Sequence, residues 1–195
     1  MTLRSLPVDG EGRSSAEARF SDLYDRYYAQ VHTYCRRRVD TTRVDDAVAE
    51  TFLTAWRRID DVPAGDLALP WLYRVAYRVV GHQWRSRSRR RRLDDRLAAV
   101  PDPPTPTTDE TVVTSDELQR VLDAAGRLNQ RDAEILRLLS WERLNRDEIA
   151  TALEIAPNAV SQRIHRAREN LTQEYERLER HDRDRTPAAR KGGKR

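Results

Sequence analysis

The chain has 195 residues, 35 % charged and 7 % aromatic, and its 36 Lys and Arg against 32 Asp and Glu leave a net charge of +4. So modest an apolar stock favours small helical units over one large core, and the slight basic excess suits a nucleic-acid partner. A single cysteine, Cys35, excludes an intramolecular disulfide and a Cys-based zinc site, and no window approaches the ~18 consecutive apolar residues of a membrane span.

Residues 1–15 (MTLRSLPVDGEGRSS) lack the apolar core of a secretion signal and read as a disordered leader, so the chain is expected in the cytoplasm with no membrane partner. The spacing then predicts an amphipathic helix from about Ala16 to Arg38. Phe20, Leu23, Tyr24, Tyr27, Val31, Tyr34 and Cys35 recur at three- and four-residue steps, with Cys35 a buried small hydrophobe. A second helix is expected from near Arg43, opened by a Thr42–Asp45 capping box and carrying the stripe Val44, Ala47, Val48, Phe52, Ala55 and Ile59. After the loop Asp60 to Leu69, Pro70 sits in the first turn of a third helix that runs into the arginine run RSRSRRRR at 85–92.

Composition changes sharply at 101–110 (PDPPTPTTDE), where four prolines and no large apolar residue mark a semi-extended linker. Beyond it, four helices are expected. Thr114 with Glu117 opens the first, which carries Leu118, Val121, Leu122, Ala125 and Leu128. Asn129 with Asp132 and Asn145 with Glu148 cap the next two, and Pro157 opens the last. The sequence carries no strand signal and no internal repeat. The expected fold is therefore all-α, two small helical domains joined by a Pro-rich linker. Its divisions are a leader at 1–15, a domain at 16–92, the linker at 93–111, a second domain at 112–178 and a disordered basic tail at 179–195.

The segment Arg146 to Arg168 has the length pattern of a helix-turn-helix. Ile149 and Leu153 mark the inner face of a short helix, Ile155 dips inward in the turn, and Val160, Ile164, Ala167 and Leu171 mark the inner face of the next. On a helical wheel, Asn158, Ser161, Gln162, His165 and Glu169 cluster opposite that stripe, with Arg166 at their edge. Asn and Gln can pair bidentately with adenine and Arg with guanine, whereas Arg163 and Arg168 on the flanks suit phosphates. A solvated face on an ordinary hairpin is the plain alternative. His165 has no partner ligand one turn away, so no metal is expected there.

The third helix carries three stripes. Leu72, Val75, Ala76 and Val79 form a core side; Tyr73, Tyr77, Val80 and Trp84 a second line; Arg74, Arg78 and Arg85 a third. Rings beside cations suit single-stranded DNA, because bases stack on rings while phosphates seek charge. The alternative is that the aromatics merely widen the core. For Trp71 the core reading is preferred; for the Tyr73–Tyr77–Trp84 line the two stand level.

Three stretches, in order, resemble the extracytoplasmic-function group of RNA polymerase sigma factors, in the sigma-70 family. VDDAVAETFLTAWRRI (44–59) is similar to region two, LPWLYRVAYRVVGHQWRSRSRRRR (69–92) to the helix that follows it, and LSWERLNRDEIATALEIAPNAVSQRIHRAR (139–168) to region four. The resemblance covers about 16–92 and 112–178. It implies that Asp46, Glu50 and Leu53 dock on the β′ clamp helices of core RNA polymerase. It further implies that Tyr73, Arg74, Tyr77, Arg78, Trp84 and Arg85 meet the melted −10 element, and that the loop Pro63 to Leu69 cradles a flipped base. Asn158, Ser161, Gln162, Arg163, His165, Arg166 and Arg168 fall on the segment that meets the −35 duplex. The polymerase β flap and promoter DNA are implied partners, and an anti-sigma factor is a candidate one. No cofactor and no catalytic residue are implied. The chain departs from the family wording in having Ala49 for a common Gln, Arg78 for a common Asn, and Ala156 for a common Ser cap.

Two rival readings explain less of the sequence. A stand-alone helix-turn-helix regulator accounts for 139–168 but leaves the aromatic–arginine helix unexplained, and strong dimerisation heptads are missing. A nucleic-acid enzyme needs a supported nucleophile or carboxylate cluster, and the one compact acidic group, Asp45, Asp46 and Glu50, is accounted for by docking.

Overall fold

A computed structural model describes residues 10–94 and 116–185, with side chains over 15–82 and 116–183. Every regular element among them is helical: α1 (Gly10–Arg36), α2 (Val44–Arg57), α3 (Ala68–Asp94), α4 (Asp116–Arg127), α5 (Gln130–Ser140), α6 (Arg146–Leu153) and α7 (Pro157–Arg185). Single 3-10 turns stand at Thr41–Arg43, Ile59–Asp61 and Gly65–Leu67. The chain divides into two compact units between residues 100 and 101, so the all-α, two-unit class expected from the sequence is the one observed. The proline-rich stretch lies outside the described residues, as does Thr114. No helix among the described residues is long and apolar enough to cross a membrane.

In the amino-terminal unit α1, α2 and α3 pack together around Leu23, Val31, Tyr34, Cys35, Val44, Ala47, Val48, Phe52, Ala55, Ile59, Leu72, Val75, Ala76 and Val79, all buried. The periodic stripes thus become the core, as burial of one apolar face per helix requires. Ile59 fills its place from the turn after α2 ends. Burial pushes the Cys35 thiol from 9.0 up to about 12, opposed by the nearby Arg38 charge. Buried Thr51 satisfies its hydroxyl by donating to the Ala47 carbonyl at 2.7 Å.

Several expectations need correcting here. α1 begins at Gly10, not Ala16. Tyr24, placed on the inner stripe by period, is 39 % exposed, and Tyr27 is half-buried. The Thr42–Asp45 capping box does not form. The backbone instead enters α2 through the 3-10 turn, in which Arg43 N–H donates to the Asp40 carbonyl at 2.8 Å, and Arg43, not Thr42, stands at the N-cap with no side-chain bond.

In the carboxy-terminal unit Ile135, Leu138, Leu144, Ile149, Ala152, Val160, Ile164 and Ala167 form the core. The contribution of α4 is thin. Ala124 is its one fully buried residue, Val121, Leu122, Ala125 and Leu128 are half-buried, and Leu118, expected inside, is 48 % exposed. The expected disordered tail from 179 is a further correction, because α7 continues to Arg185. Its last turns are laced by Arg183–Glu179 at 2.7 Å and by Arg180 Nε donating to the Glu176 carbonyl at 3.2 Å, while Arg120 of α4 reaches Asp182 at 3.9 Å. Such i,i+4 pairs each add a few tenths of a kcal/mol, roughly, to an exposed helix. Residues 186–195 lie outside the described residues.

Candidate nucleic-acid interface

The helix-turn-helix is assembled from capping chemistry. The Asn145 side chain accepts from the N–H groups of Asp147 and Glu148, each at 3.0 Å, and the Glu148 carboxylate accepts from Asn145 N–H at 2.6 Å. That completes the capping box expected at α6. Glu154 caps the end of α6 in the left-handed conformation (φ 55°) more often given to glycine. Three residues separate α6 from α7, and Ala159 N–H donates to the Ala156 carbonyl at 2.9 Å in the first turn of α7.

Along α7 the two faces separate cleanly. Val160, Ile164 and Ala167 are buried, whereas Asn158, Ser161, Gln162, Arg163, His165, Arg166 and Arg168 are all exposed. His165 Nδ1 lies 3.6 Å from Glu169 Oε2 on the same face. Sequence reasoning missed Arg146. It lines a groove of about 440 Å³ with Arg168, Asp147, Asn145 and the apolar Leu139, Leu144 and Ile164. A cation at the first position of a helix-turn-helix was the available signal, less visible than the polar face of the second helix.

On α3 the aromatic line divides. Tyr73 is 3 % exposed and its ring stacks on Tyr34 of α1 with centroids 4.8 Å apart. Tyr34 in turn carries the Arg38 guanidinium at 3.5 Å from its ring centre. Tyr73 is therefore a core residue, not a base-stacking platform, because a partner ring from α1 already covers it. Val80 is buried too, and Trp71 is core as expected. Arg74 and Tyr77 are half-buried and Arg78 is exposed; steps of three and four put them side by side. The Arg74 guanidinium lies 5.5 Å from the Trp71 ring centre. Trp84 and Arg85 belong to α3, but their side chains lie beyond those described.

The loop before α3 is tied at its stem. Arg19 of α1 donates to the Val62 carbonyl at 3.4 Å and lies 3.7 Å from Asp60, and Arg58 bonds Asp61 at 2.8 Å through both Nε and Nη2. Gly65, at φ +67°, turns the chain beyond that stem where a side chain would strain it, and Leu67 is left 40 % exposed.

On α2, Asp46, Glu50 and Leu53 are exposed and fall on one line, at i, i+4 and i+7, with Ala49 also exposed. Asp45 lies apart, 4.0 Å from His32 Nε2 of α1. Beside that face runs an aromatic seam that sequence reasoning left unassembled. Phe20 meets Trp56 edge-on at 5.2 Å, Tyr24 meets Phe52 at 4.8 Å, and Tyr28 stacks over Phe52 at 6.3 Å. Tyr24 and Tyr28, one turn apart, were the signal for it. Among the described residues no three His, Cys, Asp or Glu side chains gather as a metal ion would need.

Comparison with known proteins agrees with this geometry. The family described as Sigma-70 region 2 matches residues 23–90, and Sigma-70, region 4 matches residues 118–171. The chain is 32 % identical to RNA polymerase sigma factor NccH of Alcaligenes xylosoxydans xylosoxydans over 142 residues, 69 % of this chain and 74 % of that one. It is 28 % identical to the ECF RNA polymerase sigma-E factor of Haemophilus influenzae, covering 82 % of this chain and 88 % of that one. Its fold is similar to that of CnrH solved in complex with the cytosolic domain of CnrY, with a TM-score of 0.51 and 25 % identity over 79 % of this chain and 85 % of that chain.

Proposed function

From the premise that this chain belongs to the sigma-70 family, as an extracytoplasmic-function member, we propose how its two units divide the work of promoter recognition. The protein is a sigma factor: it binds core RNA polymerase and directs transcription to particular promoters. The amino-terminal unit holds the polymerase through Asp46, Glu50 and Leu53, with Tyr24 and Tyr28 as an apolar flank. Arg74, Tyr77 and Arg78 meet the melted −10 strand beside the Pro63 to Leu69 loop, joined by Trp84 and Arg85 further along α3. The carboxy-terminal unit reads the −35 duplex with Asn158, Ser161, Gln162, His165 and Arg166, while Arg163, Arg168 and Arg146 neutralise phosphates. No nucleotide hydrolysis enters this scheme, because captured bases and polymerase contacts supply the free energy of opening. Extruding a base costs a few kcal/mol, roughly, which a fitted pocket recovers. Work at promoters implies a bacterial cytoplasmic protein, and an anti-sigma factor is a fitting regulator.

One pairing carries this reading: an outward acidic face on a unit matching region 2, and an exposed reading helix on a unit matching region 4. Run-off transcription tests it, with the chain added to bacterial core polymerase on a pool of promoter fragments. The expected result is new transcripts that depend on the chain and disappear with Asp46→Arg combined with Glu50→Arg. Binding of duplex DNA by the chain alone, with no transcript from any fragment, would overturn it in favour of a stand-alone regulator.

A further inference from the structure

We infer that Asp132 and Asn170, assisted by Asn129, form a clasp that sets the rotation of α7 about its axis and thereby decides which bases its exposed face can meet. This rests on the proposed reading of the −35 duplex by α7. Asn170 Nδ2 of α7 donates to Asp132 Oδ2 of α5 at 2.6 Å, and Asn129 Nδ2 donates to the same oxygen at 2.7 Å. Asn129 Oδ1 in turn accepts from Asp132 N–H at 3.0 Å. One carboxylate oxygen thus takes two donors, and the Asp132 backbone holds Asn129 in place beside it, in the first turn of α5, where the helix end also favours negative charge.

Position gives the clasp its leverage. Asn170 stands one turn beyond Arg166, between the reading segment and Asp182, which Arg120 of α4 reaches. The apolar seats of the reading segment are Val160, Ile164 and Ala167. These contacts fix which face of α7 is inward, but apolar burial is itself non-directional and Ala167 offers only a methyl group, so the finer rotation is left to directed bonds. A hydrogen bond does have direction, and one to an ionised acceptor is roughly twice as strong as a neutral one. A rotation of about 20° carries a side-chain tip ~5 Å from the helix axis through nearly 2 Å, more than a base-edge hydrogen bond tolerates. Because α7 is one helix from Pro157 to Arg185, such a rotation moves every reading side chain together.

The test uses holoenzyme, the chain with bacterial core polymerase, on a promoter pool with a randomised −35 segment, read by sequencing the transcripts. Asn170→Asp sets one carboxylate against another. Asp132→Asn with Asn170→Asp exchanges donor and acceptor and restores the link. Asn170→Asp is expected to lower the ratio of best to mismatched −35 sequences about tenfold, the scale of one lost base pairing, with binding to core polymerase unchanged. The exchange pair is expected to return that ratio to within about twofold of the starting protein. A uniform loss across all −35 sequences, or an exchange pair as flattened as the single variant, would overturn the clasp and leave a merely structural bond. Gln162→Ala and Arg166→Ala separate the two layers. If they alter the preference and Asn170→Asp does not, the clasp alone falls; if none of the three alters it, the −35 reading falls and takes the clasp with it.

Discussion

The two units hold their helices together by different means. In the amino-terminal unit large side chains do most of it: Val31, Tyr34, Leu72 and Val80 are all but sealed from solvent, and Tyr73 is drawn in against Tyr34. In the carboxy-terminal unit α4 buries only Ala124 fully, and order at the helix ends comes from polar devices, the Asn145–Glu148 box and the Asn129–Asp132 cap. In the proposed division of work, that core backs the surface that holds melted strands and a polymerase at once. The carboxy-terminal unit seals Ile135, Leu138, Ile149 and Val160 as fully, but its α4 layer is thin, and firm caps order the helices around the one proposed to enter a duplex groove.

The largest expected effect tests the dense side of that contrast. Leu72→Ala should destabilise the amino-terminal unit by about 2–5 kcal/mol, whereas Leu122→Ala, at a half-buried site, should cost the other unit well under that. Hydrogen exchange read separately over 15–82 and 116–183 measures both, and equal losses would erase the distinction. Next comes alkaline pH. The folded Cys35 thiol titrates near 12, above its ordinary 9.0, so its contribution is intact below about pH 9 and is lost as pH rises from there towards 12. The slope it adds is at most about 1.4 kcal/mol per pH unit. It should vanish in Cys35→Ala and be absent from the carboxy-terminal unit, as pH-dependent urea melts would show. Smallest are the caps. Asn145→Ala should cost its unit about 1 kcal/mol, while Thr42→Ala should leave the other unit's melting unchanged, because Thr42 bonds no helix end. A thermal shift from Thr42→Ala would contradict the 3-10 entry into α2.

Where the sequence was readable, the information was local. Stripes such as Val44, Ala47, Val48 and Phe52 follow from helical period, and Asn129 and Asn145 cap helices that start right beside them. Where it misled, the deciding partner came from elsewhere. Period cannot tell a base-stacking Tyr73 from a core one, because Tyr34 on another helix settles it. Thr42 had the right spacing for a cap, but the backbone turned one residue later than the motif requires. Leu118 shared the period of its helix, yet the small Ala124 is the residue that helix buries fully. The charges from residue 179 onward read as a tail because their pairing along a helix is visible only once the helix exists.

The separation of faces on α7 also bears on how such a protein changes over generations. Asn158, Ser161, Gln162, His165 and Arg166 are exposed, while Val160, Ile164 and Ala167 on the opposite side hold the fold. Substitutions on the outer set therefore carry little folding penalty, typically within about 0.5 kcal/mol. If that set reads the −35 duplex as proposed, a duplicated copy of the gene can drift to a new set of promoters by altering those few codons, its architecture carried along intact.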